Sequence, residues 1–454
     1  MIIGRNAELK QLSTYYDRDK SQIIVLYGQK YIGKTALIKE FMIDKPGFYY
    51  CAFPASEREQ KYRFGIWLAS LGVRTLKYPE FSEVFQSLGK EHSQKKVIVI
   101  DEFQHIIKTC PTFMDELISF IHNSWNDQEY LVILLSSSVG FIENSMVSRI
   151  KEAAFELSGF IKMKELSFEN LKEYFTIYTN EECSYVWAIL GGLPGLWKMF
   201  DAKLSLKENI IRKILRDNGP LREVGFSLVN EELRETGVYN TILSALAEGK
   251  HKLNELFEHT EFSRAKISVY IKNLMELELV KKVFSVDTEG RDYAQKGIYS
   301  ISNHFVDFTY SYLYRNLSLL ESMSPEDFYK QIVHPTLKNY VQRYFPEICL
   351  EYMQKLNDKN KLSIKADSFG TWVGKPGTID IVCYNEEGRA TLGLCNFDKP
   401  MFTYDDYEWL MFCADKAELP TDEIYVFSSS RFDEKLTLEG KISKNLNLVL
   451  LDRM

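Results

Sequence analysis

The sequence predicts an α/β protein built in several parts. Three observations carry that expectation. Short apolar runs alternate with amphipathic stretches up to about residue 160, and a glycine-rich loop at Gly28–Thr35 sits between one such run and a helical pattern. Strand-like runs then return beyond residue 336, after a long helical interval. At roughly 100–200 residues per domain, a chain of 454 residues holds two to four domains. Its 56 Lys and Arg against 63 Asp and Glu give a net charge of −7, with 45% hydrophobic residues. That is globular composition; it excludes a generic polybasic nucleic-acid coat and leaves room only for a local basic face. Seven scattered cysteines without C-x-x-C spacing point to reduced thiols rather than a disulfide framework or structural zinc. No apolar run reaches the roughly 18–20 residues that span a bilayer, and Met1–Lys10 has no apolar signal core, so a cytoplasmic protein without membrane contact is expected.

The elements follow in order. Strands are expected at Ile23–Tyr27, Gly47–Phe53, Val97–Ile100 and Leu131–Leu135, with helical patterns such as Thr35–Met42 and Pro111–Ser124 between them; this order implies a parallel sheet. From Ser167 to about Glu232 the pattern is helical, broken by Gly191-Gly192-Leu193-Pro194-Gly195. Residues 236–302 show three short helical patterns and then two apolar strands, Leu279–Val286 and Gly297–Ile301, around the polar turn Asp287–Asp292, which is the order of a winged helix. Phe305, Phe308 and Tyr312 recur at helical intervals and read as core packing. Ser324-Pro325 and His334-Pro335 mark a boundary. A helix at Thr336–Leu356 then leads to strands at Leu362–Lys365, Ile379–Tyr384, Ala390–Cys395, Glu423–Phe427 and Leu446–Leu451, with a helix at Tyr404–Ala417. The expected divisions are 1–165, 166–235, 236–334 and 335–454.

Gly28-Gln29-Lys30-Tyr31-Ile32-Gly33-Lys34-Thr35 fits G-x-x-x-x-G-K-[ST], with a strand before it and the helix opening at Ala36 after it. Amides of such a loop cradle phosphate oxygens, and the helix N-terminus favours negative charge. Lys34 is expected to reach the β- and γ-phosphates of ATP and Thr35 to bind Mg²⁺. Val97-Ile98-Val99-Ile100-Asp101-Glu102 is a fully apolar strand ending in two acids, and the carboxyl end of such a strand is where α/β sheets bind ligands. Asp101 is expected to hold Mg²⁺ through water and Glu102 to polarise the attacking water. Ser136-Ser137-Ser138, after the next strand, are either sensors of the γ-phosphate or ordinary turn residues.

Together, Ile2-Ile3-Gly4-Arg5-x-x-Glu8-Leu9, the loop Tyr27–Thr35, Ile100-Asp101-Glu102 and Gly191-Gly192-Leu193-Pro194 resemble the bacterial and archaeal ATPases of the AAA+/STAND superfamily. More narrowly the chain resembles the archaeal ATPase family, over essentially its whole length. The resemblance implies a P-loop parallel sheet with a helical lid, followed by a winged helix-turn-helix and a restriction-endonuclease-like α/β domain. It implies Ile3 and Arg5 beside the adenine, with Pro194 in the lid turn closing over the nucleotide, so the expected nucleotide contacts are Ile3, Arg5, Gly28, Gln29, Lys30, Ile32, Gly33, Lys34, Thr35, Ala36 and Pro194. Within the loop this chain has Gln29, Lys30 and Tyr31 where family members commonly carry arginines. The best candidate for an arginine finger, Arg149, reads equally as a solvated surface residue.

In the winged-helix region, Leu253–Phe257 and Ser263–Leu277 form a helix pair. Ser263 is the expected N-cap and Ile267, Tyr270, Ile271, Leu274 and Leu277 the buried stripe. Arg264, Lys266, Ser268, Lys272 and Asn273 fall on the opposite face, with cations for phosphates and short polar groups for base edges. DNA contact through Arg264, Lys266, Ser268 and Lys272 is the expectation; protein interaction is the alternative for such a module.

The resemblance also makes Asp380, in Gly377-Thr378-Ile379-Asp380-Ile381-Val382, the metal-binding aspartate of a nuclease. The following strand has Leu394 and Asn396 where such enzymes carry a second carboxylate and a lysine, and neither can perform those tasks. Glu347 or Glu351 on the preceding helix would have to complete a metal site. The sequence therefore favours an ATP-dependent switch coupled to DNA or a protein partner, or to assembly as a homo-oligomer. The alternatives are an ATP-regulated nuclease of a defence or mobile-element system, or a non-catalytic scaffold that holds ATP or ADP.

Overall fold

The computed structural model describes residues 2–88, 95–123, 128–230, 233–286 and 297–454. It divides into two compact units. Unit 1 comprises Met1–Leu166 with Leu193–Gly195, and unit 2 comprises Ser167–Gly192 with Leu196–Met454.

Unit 1 is built on five parallel strands: β1 (Gln22–Tyr27), β2 (Gly47–Cys51), β3 (Lys96–Asp101), β4 (Tyr130–Ser136) and β5 (Gly159–Lys162), in the spatial order β2-β3-β4-β1-β5. β1, β3 and β4 are buried along their whole length, which is why they read as continuous apolar runs without alternation. On one face Ile23, Val25, Ile98, Ile100, Val132 and Leu134 join a single apolar cluster with the helices Phe81–Leu88 and Phe113–Asn123. The register pairs Tyr27 with Ser136 and Cys51 with Asp101, so the carboxyl ends of the central strands lie along one edge. β5 was not anticipated, because four half-apolar residues at a sheet edge leave no distinctive pattern.

In unit 2 the helices Phe168–Tyr174 and Asn180–Leu190 come first. The second opens on a capping box in which the Thr179 hydroxyl accepts from the Glu182 amide and the Glu182 carboxylate accepts from the Thr179 amide. Helices Thr236–Ala247, Leu253–Thr260 and Arg264–Glu276 enclose a core of Ile242, Leu246, Leu256, Ile267, Ile271 and Leu274. The antiparallel pair β6 (Val280–Val283) and β7 (Ile298–Ile301) follows, each strand shorter than expected, and the anticipated turn at 287–292 lies outside the described residues. The Phe305, Phe308 and Tyr312 side chains are buried, with the last two rings 4.9 Å apart.

The chain ends in a second sheet: β8 (Ser368–Val373), β9 (Thr378–Tyr384), β10 (Ala390–Asn396), β12 (Thr421–Ser428) and β14 (Leu446–Leu450), in the order β14-β12-β10-β9-β8. Its β8-β9-β10 part is antiparallel and its β10-β12-β14 part parallel, and the short strands β11 (Met401–Phe402) and β13 (Arg431–Phe432) pair beside it. Two expectations are corrected here. The anticipated helix Thr336–Leu356 is two helices, His334–Gln342 and Phe345–Asp358, because Pro346 supplies no amide to continue the first and suits the opening turn of the second. The run Leu362–Lys365 is not a strand; β8 starts at Ser368 instead, and Asn357 satisfies the intervening chain by accepting from the Ala366 amide and donating to the Ala366 carbonyl.

Candidate functional site

The Gly28–Thr35 loop leaves the end of β1 and enters the helix Lys34–Phe41, whose Leu37, Ile38 and Phe41 are buried and so fix the helix N-terminus against the sheet. Gly33 caps it at φ +100, a left-handed conformation that a side chain would strain. Lys34 is 7% exposed, and its Nζ donates to the Gly28 and Gln29 carbonyls at 2.8 and 3.0 Å. The lysine thus lies along the inside of the loop that it is expected to serve. Arg5 is only 3% exposed; its guanidinium donates to the Ile32 carbonyl (2.8 Å), the Lys164 carbonyl (2.8 Å) and the Glu8 carboxylate (2.7 Å). It is placed as a brace that holds the loop backbone at Ile32.

The turn Leu193–Gly195 also packs on the loop. The Gly195 amide donates to the Tyr31 carbonyl at 2.8 Å, and a Cβ at Gly195 would stand 2.8 Å from the Tyr31 backbone. Pro194 Cγ lies 3.4 Å from where a Cβ on Gly33 would be.

At the end of β3, Glu102 adopts φ +54, a strained value for a residue with a side chain. Its Oε2 accepts from the Ser137 amide (3.2 Å), the Ser137 hydroxyl (2.7 Å) and the Gln104 amide. Burial pushes this carboxyl up, but the bonds from Gln104 and Ser137 and the charge of Lys34 outweigh it and hold Glu102 below its ordinary value, ionised. Asp101 is buried, and burial raises its carboxyl. Its Oδ1 accepts from the Glu102 amide at 2.9 Å, and its Oδ2 accepts from the Tyr49 hydroxyl. Tyr49 and Gln104 were not anticipated, since neither belongs to a spaced motif; Ser137 had been left open between sensor and turn.

On the helix Arg264–Glu276, Ser263 caps the N-terminus by accepting from the Lys266 amide at 3.2 Å. Arg264, Lys266, Ser268 and Lys272 are exposed. Arg264 also lies over the Phe257 ring and donates to Asn254 Oδ1 at 2.9 Å, while Lys266 lies over Phe262 and Lys272 stands 4.0 Å from Glu276. Asn273 differs from expectation: it turns inward and donates to the Tyr239 hydroxyl at 2.7 Å, which takes it off the outer face.

Comparison with known proteins fits this arrangement. Residues 2–200 match a family described as an ATPase domain predominantly from Archaea. The first part of this chain is an archaeal-type ATPase domain. Beyond it, residues 240–282 match the arsR family of bacterial regulatory proteins, a helix-turn-helix module, and residues 309–403 match a family of archaeal and bacterial proteins of unknown function. The uncharacterized protein MJECL04 of Methanocaldococcus jannaschii is 28% identical over 394 residues, covering 86% of each chain. A second protein of that organism, the uncharacterized ATP-binding protein MJ0423, is 40% identical over 45 residues, 10% of this chain and 76% of the other. Among solved structures, the Walker-type ATPase PABY2304 of Pyrococcus abyssi (16% identity, 68% of this chain and 96% of that one) and the ORC2 protein of Aeropyrum pernix (14%, 71% and 95%) each superpose with a TM-score of 0.48.

After the ATPase domain and the helix-turn-helix, the terminal sheet gathers few groups capable of chemistry. Asp380 Oδ2 accepts from the Cys395 amide at 2.8 Å, and burial pushes its carboxyl up to about 6. Asn396 is buried at the end of β10, where its Oδ1 accepts from the Lys399 amide at 3.0 Å. Glu351 accepts from the Phe168 and Glu169 amides, capping the helix Phe168–Tyr174, and Glu347 is bonded to His304 and Lys281. Neither glutamate joins Asp380. Among the described residues no group of three or more His, Cys, Asp or Glu is arranged to hold a metal ion, and no helix is long and apolar enough to cross a membrane.

Proposed function

We propose that this chain is a nucleotide-dependent switch. ATP binds on the Gly28–Thr35 loop and is hydrolysed with the help of Glu102, and its presence is passed to the winged-helix and terminal elements, where the helix Arg264–Glu276 contacts DNA. The observation that carries the reading is the turn Leu193–Gly195. It is bonded to the phosphate loop through Tyr31 within unit 1, while the chain on both sides of it belongs to unit 2. A shift of the loop on nucleotide binding therefore pulls on two strands of backbone leading into the other unit. The printed name of the ATP-binding relative supports the ligand, since 76% of that chain matches this one at 40% identity.

Each residue has a task in this reading. Lys34 leaves the Gly28 and Gln29 carbonyls to meet phosphate, and the loop amides complete the cradle. Thr35 supplies a hard oxygen donor to Mg²⁺ and Asp101 holds the ion through water, as suits an ion that keeps several waters and takes few protein ligands. When bound, Mg²⁺ would neutralise charge on the phosphates. Glu102 is ionised, as a group that orients and polarises water must be, while Ser137 and Gln104 hold it by its Oε2. Binding and turnover of Mg²⁺-ATP by wild type, Lys34→Ala and Glu102→Gln test the reading. The wild type is expected to bind and hydrolyse, Lys34→Ala to lose binding, and Glu102→Gln to bind without turnover. Equal binding by Lys34→Ala sinks the site; binding with no turnover in wild type leaves the nucleotide as a structural ligand.

A further inference from the structure

The carboxylate assigned to the divalent cation already has a partner. The Tyr49 hydroxyl, presented by β2, donates to Asp101 Oδ2. Register explains the meeting: β2 lies parallel to β3 with Cys51 opposite Asp101, so a tyrosine two residues before Cys51 lies on the same face, one step short of the carboxylate. The other oxygen, Oδ1, already accepts from the Glu102 amide.

We propose that Tyr49 is a positioning residue that stands in for the cation at Asp101 and must release Asp101 before the cation is held. The assignment rests on the nucleotide-site reading above. A buried carboxylate left without a partner is costly, so a donor at Oδ2 keeps the site stable while no cation is present. A hydroxyl hydrogen aimed at that oxygen competes with a water on the cation for the same lone pairs. Tyr49 therefore sets the Mg²⁺ concentration at which nucleotide is bound tightly, and the site discriminates between nucleotide alone and nucleotide with its metal.

The test is ADP binding by calorimetry in EDTA and across a Mg²⁺ titration, on wild type, Tyr49→Phe and Lys34→Ala. Thermal melting confirms that Tyr49→Phe, which loses one oxygen and keeps its ring, remains folded. The expected result is unchanged affinity in EDTA and a Mg²⁺ midpoint lowered in Tyr49→Phe by about tenfold, the order of one hydrogen bond to a charged group. A midpoint that stays put overturns the assignment, and one that rises shows instead that Tyr49 helps hold the metal or its water. No ADP binding by wild type, or binding by Lys34→Ala equal to it, removes the nucleotide site itself, an outcome distinct from a Tyr49→Phe that merely matches a Lys34-dependent wild type.

Discussion

Arg5 and Gly195 support the phosphate loop from two sides, and each makes a separable prediction. Arg5→Ala deletes a buried guanidinium that satisfies the Ile32 and Lys164 carbonyls and the Glu8 carboxylate. Leaving such groups unpaired costs about 1–3 kcal/mol each where burial is complete, so Arg5→Ala is expected to lower the melting temperature and weaken nucleotide binding together. An Arg5 that instead contacts the adenine would lose affinity with the melting temperature unchanged. Gly195→Ala places a methyl group 2.8 Å from the Tyr31 backbone, which has no side-chain freedom with which to yield. A loss of about 1–3 kcal/mol is expected, as for overpacking elsewhere, with a matching drop in ATP affinity. A variant that melts and binds like wild type would show that the turn does not bear on the loop. The sequence brought Arg5 and Pro194 to notice only through resemblance, since a lone arginine before a helix has no spacing to mark its target.

At the scale of elements, the helix Arg264–Glu276 exposes Arg264, Lys266 and Lys272 on the side away from its Ile267, Ile271 and Leu274 stripe. If this face meets DNA phosphates, replacing the three cations by alanine is expected to weaken binding similarly across sequences and to reduce the salt dependence by about one phosphate contact for each cation lost. Salt-titrated binding of wild type and the triple variant checks this, and identical slopes exclude the face. Arg264→Ala also removes its packing over Phe257, so stability is measured alongside. This helix was legible because its 3.6-residue stripe and its cap are local properties. The strands β1, β3 and β4 were legible for a similar reason, as burial on both faces demands unbroken apolar runs. The break before Phe345 and the start of β8 were not, because each depends on which distant groups satisfy a few backbone amides. Asn273 went astray similarly, being claimed by Tyr239 from another helix.

The whole molecule adds what no motif carries, the way unit 2 ties its own segments together. His304 is buried, with Nδ1 2.7 Å from the Trp187 carbonyl and Nε2 3.0 Å from the Glu347 carboxylate, while Lys281 on β6 donates to the same carboxylate at 2.9 Å. The Tyr344 ring packs against the imidazole, tilted, with centroids 3.9 Å apart. The Glu347 carboxylate thus joins its own helix, Phe345–Asp358, to the wing strand β6 and to the helix His304–Phe308, and His304 extends the junction to the helix Asn180–Leu190. Burial pushes the Glu347 carboxyl up, but His304 and then Lys281 outweigh it and hold it well below its ordinary value of 4.5. A depressed carboxyl contributes stability that is fully present above that ordinary value and is lost as pH falls below it, toward the folded-state value. Glu347→Gln is therefore expected to cost about 2 kcal/mol at pH 7, the order of hydrogen bonds to a charged group, and less near pH 3, where the wild type has lost part of the same contribution. Urea unfolding of both proteins at the two pH values measures this. A difference between them that does not shrink on acidification would mean that Glu347 acts through its shape rather than its charge, and that the junction of these four elements is not held by the ion pair.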